Sequence, residues 1–126
     1  MAINPLKVLF VASEVEGLVK TGGLADVAKA LPQHLAREGH DVRIILPFYQ
    51  TLKRRDEARL LASRWLPTPQ GRDDISYRIY QLELDGICVY LLDCPAYFER
   101  PQLYAENNQA YPDNGERFAF LAAAAL

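Results

Sequence analysis

Apolar and polar positions along this chain fall into runs whose period changes several times. Val8-Leu9-Phe10-Val11-Ala12 is almost unbroken apolar sequence. A run that short, rich in β-branched and aromatic residues, predicts a strand buried on both faces, as in a parallel sheet. Polar Ser13 and Glu14 follow, then a loop to Lys20-Thr21-Gly22-Gly23. From Leu24 the period becomes helical. Leu24, Val27, Ala28, Leu31 and Leu35 recur at i, i+3, i+4 and i+7 and predict one apolar helix face. Pro32 predicts a kink, or a second helix beginning near it. Gly39 supplies a left-handed helix end. Asp41 to Leu46 reads as the next strand, stopped by Pro47, and strand, helix, strand predicts a right-handed parallel unit.

The second half changes character. Tyr49 to Ala62 is charged, with few large aliphatics, and predicts a solvated helix or irregular segment; Ser63 to Leu66 reads as a short edge strand. Ile75–Leu84 and Ile87–Asp93 are two strands joined by Asp85-Gly86, a strong hairpin signal. After Ile79 the apolar phase passes to Tyr80, Leu82 and Leu84, which predicts a bulge near Ile79. The second strand is apolar on both faces and belongs in the sheet interior. Cys94 to Pro112 is a long loop carrying Tyr97, Tyr104 and Tyr111. With Asn107 and Asn108 these suit a surface that meets sugars or a partner; alternatively the tyrosines pin the loop to the body. Asp113 and Glu116 predict a capping box for a last helix with Phe118, Leu121, Ala122 and Ala125 inward. That helix ends in mid-pattern, which predicts a chain cut from something longer. The fold class expected is α/β: a Rossmann-like, open, mostly parallel sheet with an antiparallel hairpin.

Composition narrows the function classes. The chain has 126 residues, enough for one domain with a core. Its 14 basic and 16 acidic residues leave a net charge of −2, so no electrostatic footprint for nucleic acid is visible. No apolar run approaches the ~20 residues of a membrane span, and Met1 to Pro5 lacks the pattern of a secretory signal. Cys88 and Cys94 form no C-x-x-C pair and read as reduced thiols in a cytoplasmic protein.

The chemistry concentrates between Lys20 and Asp26. Gly22 and Gly23 let a ligand approach the backbone, the first amides of the following helix attract an anion, and Lys20 adds a positive charge. These are the parts of a phosphate or diphosphate site, or else a tight turn with an exposed lysine. The order of a P-loop and the G-x-G-x-x-G fingerprint are both absent. Glu14 lies just past the strand's carboxyl end, where functional carboxylates sit; Asp26 also simply suits the helix dipole. The Lys53-Arg54-Arg55 run reads as a solvated face. His34 and His40 lack a second ligand nearby, so no metal site is expected, and no nucleophile–base arrangement or complete acid–base pair is apparent.

The motifs S-E-V at 13–15, K-T-G-G-L-A-D-V at 20–27, A-L-P at 30–32, G-H-D-V-R at 39–43 and L-P at 46–47 resemble the N-terminus of bacterial glycogen synthases and plant starch synthases. Leu91-Leu92-Asp93 with Tyr97-Phe98-Glu99-Arg100, and Tyr111-Pro112-Asp113-Asn114 with Arg117-Phe118, resemble later segments of the same family. The resemblance implies a two-Rossmann-domain (GT-B) glycosyltransferase with its active site between domains. It implies glucose transfer from ADP-glucose to the non-reducing end of an α-1,4-glucan such as glycogen, with retention and without metal or cofactor. The family's nucleotide-sugar lysine falls on Lys20, and its phosphate- and glucose-approaching backbone on Gly22 and Gly23. Glu14, Asp26 and Tyr97 are expected to line the cleft.

The departure is length. The family's later histidine segment, and the donor-holding arginine, lysine and glutamate of its C-terminal domain, have no counterpart. Residues 1–126 are therefore expected to be a partial N-terminal domain, inactive alone and prone to self-association through uncovered sheet edges. A non-catalytic α/β module that binds glucan or a partner is the competing expectation. A generic nucleotide-binding domain is disfavoured by the missing glycine pattern.

Overall fold

The computed structural model describes residues 4–71 and 73–126. Elements follow in the order β1 (Lys7–Val11), α1 (Gly23–Arg37), β2 (Asp41–Pro47), a 3₁₀ turn (Arg55–Glu57), β3 (Arg59–Pro67), β4 (Asp74–Leu84), β5 (Ile87–Asp93), α2 (Pro95–Phe98), β6 (Ala105–Glu106), β7 (Gln109–Ala110) and α3 (Asn114–Ala125). The main sheet has the order β1-β2-β5-β4-β3. β1, β2 and β5 are parallel, with Phe10 opposite Ile44 and Ile44 opposite Val89. β4 and β3 add on antiparallel. The expected open, mostly parallel sheet with an antiparallel hairpin is therefore present, and β3 adds a second antiparallel pairing. β5 holds the interior position expected of a strand apolar on both faces, and its Val89, Leu91 and Leu92 are fully buried.

β1 differs from expectation. It is not buried on both faces: it forms one edge of the sheet, and Leu9 and Val11 remain 42% and 45% exposed. α1 also differs. It runs as one helix through Pro32, whose ring is buried, and does not restart there. Gly39, at φ 98°, ends the turn that follows it as expected. The face α1 buries is Ala25, Ala28 and Pro32, whereas Leu24, Val27 and Leu31 lie outward. Small residues let the helix sit close over β2 and β5, which it packs against, and close approach turns the leucine stripe to the flank.

Asp85 (φ 49°) and Gly86 (φ 83°) make the predicted hairpin turn with both central residues left-handed. The bulge expected near Ile79 sits on the partner strand: Leu60 faces Tyr80 and Ala62 faces Ile79, so Leu61 is the extra residue. β4 pairs with β5 without a break. Its change of apolar phase reflects cover on different faces. Tyr77 meets Phe120 of α3 at 5.7 Å, while Tyr80, of opposite parity, meets Phe48 at 5.2 Å. β3 is an edge strand as expected, but extends back to Arg59 through part of the segment expected to be helical or irregular.

The last helix keeps part of its predicted face. Of the predicted set, Leu121 is buried and Phe118 and Ala125 pack partly buried against the core, but Ala122 is exposed, and Arg117 and Phe120 are buried in addition. The predicted capping box is not formed. The Asp113 side chain makes no cap bond; it takes both ends of the Arg100 guanidinium at 2.6 Å. Glu116 accepts from the Tyr97 hydroxyl at 2.8 Å. Among the described residues no helix is long and apolar enough to cross a membrane.

Candidate functional site at the carboxyl ends of the parallel strands

The three parallel strands end on the same side, and the segments that follow them converge. Leu18 to Thr21 follow β1, Thr51 and Lys53 follow β2, and Pro101 to Ala105 follow β5; together they line a cleft of ≈ 460 Å³. This is where ligands bind in open α/β sheets.

The β1 wall is a packed loop. Val15 and Val19 exchange backbone bonds at 3.0 Å, Lys53 N–H donates to Leu18 O at 2.8 Å, and Glu16 N–H donates to Ala25 O at 3.0 Å. Val15 and Leu18 are fully buried. Their burial leaves the polar residues Lys20 and Thr21 at the rim.

Lys20 lines the cleft, and its Nζ donates to Asp26 Oδ1 at 2.7 Å. Both side chains are about half exposed, at 46% and 48%. The hydrogen bond to Asp26 raises the Lys20 pKa, and the same bond lowers that of Asp26. Lys20 is therefore a full cation at neutral pH, resting on an exposed carboxylate.

Glu14 lies beneath this rim, only 2% exposed. Its Oε1 accepts from Thr21 N–H at 2.9 Å and Gly22 N–H at 3.1 Å, and its Oε2 from the hydroxyls of Thr21 and Tyr104, both at 2.6 Å. Burial alone would push this carboxyl up; the bonds from Thr21, Tyr104 and Gly22 outweigh it and hold the pKa below the ordinary glutamate value. The Gly22 amide, which the sequence offered to a ligand, and the Thr21 amide beside it are thus occupied by the protein's own carboxylate. The start of α1 still presents the amides of Gly23 and Leu24, which have no intrahelical acceptor.

Gly22 and Gly23 have no reason within this chain to be glycine. Gly22 caps α1 in an extended conformation, φ −167°, that any residue adopts. A Cβ at either position would meet nothing within 4 Å. The space beside them is open.

Tyr97 is buried in the core against Phe98 and Phe120 and is not among the cleft-lining residues. All three loop tyrosines bond inward: Tyr97 to Glu116, Tyr104 to Glu14, and Tyr111 to Glu106. Asn107 and Asn108 form the left-handed turn between β6 and β7. Pinning, rather than display, is the main work of this loop; Tyr104 does both, since it also lines the cleft.

Of the three loop tyrosines that suit a sugar- or partner-binding surface, Tyr104 is the one in the cleft, and the sequence does not distinguish it from Tyr97 and Tyr111. Lys53 belonged to a basic run that the structure splits three ways: Lys53 to the cleft, Arg54 to Glu57 at 2.6 Å, and Arg55 over the Phe48 ring at 4.2 Å. A signal was available for Lys53, since it follows β2 as Lys20 follows β1. His40 accepts from Leu6 N–H and His34 faces Glu38, both away from the cleft. Among the described residues no cluster of histidine, cysteine or carboxylate side chains could hold a metal ion.

Residues 7–126 match the family described as starch synthase catalytic domain. The chain is 82% identical over its whole length to a glycogen synthase of Aeromonas hydrophila subsp. hydrophila, and 58% identical over 98% of its length to one from Photobacterium profundum. It spans about a quarter of each, 26% and 24%. Among solved structures, the catalytic domain of starch synthase IV from Arabidopsis thaliana, bound to ADP and acarbose, superposes with a TM-score of 0.83 at 29% identity. That match covers 97% of this chain and 24% of the other.

Proposed function

Because this chain belongs to the starch synthase catalytic domain family, we propose that it is the opening part of a glycogen synthase. The whole enzyme transfers glucose from ADP-glucose to the non-reducing end of an α-1,4-glucan with retention. In this reading residues 1–126 form part of the N-terminal Rossmann-like domain of a GT-B enzyme. A second domain, elsewhere in the longer polypeptide, holds most of the donor. The reaction runs in the cytoplasm, in keeping with the free thiols of Cys88 and Cys94.

One observation carries the reading. Lys20 lines the cleft at the ends of the parallel strands, and Gly22 and Gly23, which follow it in the chain without lining the cleft themselves, are glycines that the fold does not require. The leaving group of the reaction is a nucleoside diphosphate. As the glycosidic bond breaks, negative charge grows on its phosphate oxygens. The Lys20 ammonium and the amides of Gly23 and Leu24 are pre-arranged to stabilise that charge. Lys53, on the adjacent wall, adds a second cation. Lys20 exchanges Asp26 for phosphate at little cost, because an exposed ion pair is worth little. Gly22 and Gly23, lacking side chains, let the donor lie against the backbone.

The polypeptide that carries this segment together with the downstream domain should release ADP from ADP-glucose and glycogen, and residues 1–126 alone should not. ADP release by the short chain, or glucan binding without transfer by the long one, contradicts the proposal; the second result favours a non-catalytic glucan-binding module. In isolation the bare β1 edge, with Leu9 and Val11 beside it, gives a second copy of the chain an apolar surface to cover.

A further inference from the structure

We propose that Tyr104 is a positioning residue for the Lys20–Gly23 loop, acting through Glu14, so that its hydroxyl ties together two walls of the cleft. The inference deepens the functional reading above and rests on it for the loop's role.

Tyr104 comes from the segment after β5, and Thr21 and Gly22 from the segment after β1. Both groups meet on one carboxylate. The Tyr104 hydroxyl donates its single proton to Glu14 Oε2 at 2.6 Å; Ser13 Oγ, 2.7 Å from the same hydroxyl, is then the donor to it. Among the described residues Glu14 has four donors, three of them from Thr21 and Gly22. Tyr104 is the only one from the opposite wall. A buried carboxylate needs its donors, so the loop's amides are held at a position referred to Tyr104.

Tyr104 in turn is fixed from the core. Its carbonyl accepts from Asn114 Nδ2 at 2.8 Å and from Tyr111 N–H at 3.0 Å. Arg117 Nη1 donates to the neighbouring Leu103 O at 2.9 Å, and the Tyr104 ring packs on Phe118 with centroids 5.8 Å apart. The chain of contacts runs from buried α3, through Tyr104 and Glu14, to the backbone beside Lys20. It sets both the width of the cleft and the direction of the amides at its rim.

The arrangement has a pH signature. The groups facing Glu14 are Lys20 from its own loop, Tyr49 after β2, and Tyr104; Arg117 of α3 faces the two tyrosines. Lys20 and Arg117 stay cationic from acid to neutral pH. Burial pushes both tyrosines up, Tyr104 to about 12, so they stay protonated. Glu16 and Asp26 face Lys20 rather than Glu14. Within this group the acid transition therefore belongs to Glu14, and loss of the Tyr104 bond moves it to higher pH.

The test is Tyr104→Phe, which keeps the ring, in the complete polypeptide. Hydrogen exchange is read by mass spectrometry on peptides spanning residues 13–24 as pH is lowered. We expect exchange at Thr21 and Gly22 to quicken about ten-fold and the acid loosening of this loop to begin at higher pH, while β5 stays protected. Glu14→Gln should loosen the same peptides and abolish the acid step. Unchanged exchange and an unchanged acid transition in Tyr104→Phe overturn the proposal. The KM for ADP-glucose separates the two readings. A loosened loop with a KM raised about ten-fold supports both. A loosened loop with unchanged KM leaves the tie standing and contradicts the donor role of the loop.

Discussion

The Lys20 ammonium reaches across the first turn of α1 to the Asp26 carboxylate, 2.7 Å away. The partners are six residues apart and both half exposed, so the contact belongs to the strand–loop–helix unit and contributes little to folding. It keeps a cation at the cleft rim on a partner that a phosphate can replace. Lys20→Ala should leave the melting temperature within about 2 °C of the parent. In the complete polypeptide it should raise the KM for ADP-glucose by about ten-fold or more. Steady-state kinetics beside thermal melts check both halves.

Glu14 makes stability depend on acid. Its folded-state pKa lies below the ordinary value of 4.5, so its contribution is present above that value and fades as pH falls through the lower, folded one. Glu14→Gln should lower stability at neutral pH by about 1–3 kcal/mol, because donors now face a poorer acceptor. The variant's stability should also fall less steeply than the parent's below pH ~4.5. Urea unfolding at a series of pH values measures both.

Arg117 is a fully buried cation that no carboxylate binds among the described residues. It donates to Tyr97 O at 2.6 Å, to Leu103 O and to Asn114 Oδ1, and lies 5.0–5.3 Å from the ring centres of Tyr111, Phe98 and Phe118. Burial lowers its pKa, without neutralising it at any ordinary pH. Arg117→Met leaves two carbonyls unpaired and should cost about 3 kcal/mol or more. Arg117→Lys should recover less than half of that, since an ammonium cannot reproduce the fork. Denaturant midpoints of the two variants decide it.

The bare β1 edge should make the isolated chain self-associate. Val11→Lys places a charge on the exposed face of that edge and should shift the weight-average mass in sedimentation toward monomer, without lowering the melting temperature by more than a few degrees. Equal self-association in parent and variant counts against this edge as the contact.

Local chemistry made much of the fold legible. The Asp85-Gly86 turn, the doubly apolar β5 and the change of period at Leu24 each reflect a short-range constraint that no distant contact overrides. Other features depended on distant partners. Periodicity marked Leu24, Val27 and Leu31 as apolar but could not say that Ala25 and Ala28 would be the residues to approach the sheet. Asp113 and Glu116 have the spacing of a capping box, yet Arg100 and Tyr97 take their carboxylates. A charged residue such as Arg117 carries no sign in sequence that carbonyls and aromatic rings will enclose it. At the site, Lys20 and the paired glycines were visible as a motif. Glu14 was visible only as a candidate cleft residue, because its donors include Tyr104, 90 residues away.

The central claim is that the glycines at the start of α1 serve a ligand rather than the fold. Binding of ADP-glucose to the complete polypeptide carrying Gly22→Ala and Gly23→Ala, measured by titration calorimetry, tests it most directly. A Cβ at either position is free of contacts in this chain; alanine is the better residue at helical Gly23 and the poorer one at the Gly22 cap, so the variant's stability should stay within about 1 kcal/mol of the parent's. Its affinity for ADP-glucose should nevertheless fall at least ten-fold. Undiminished affinity in a stable variant would contradict the account.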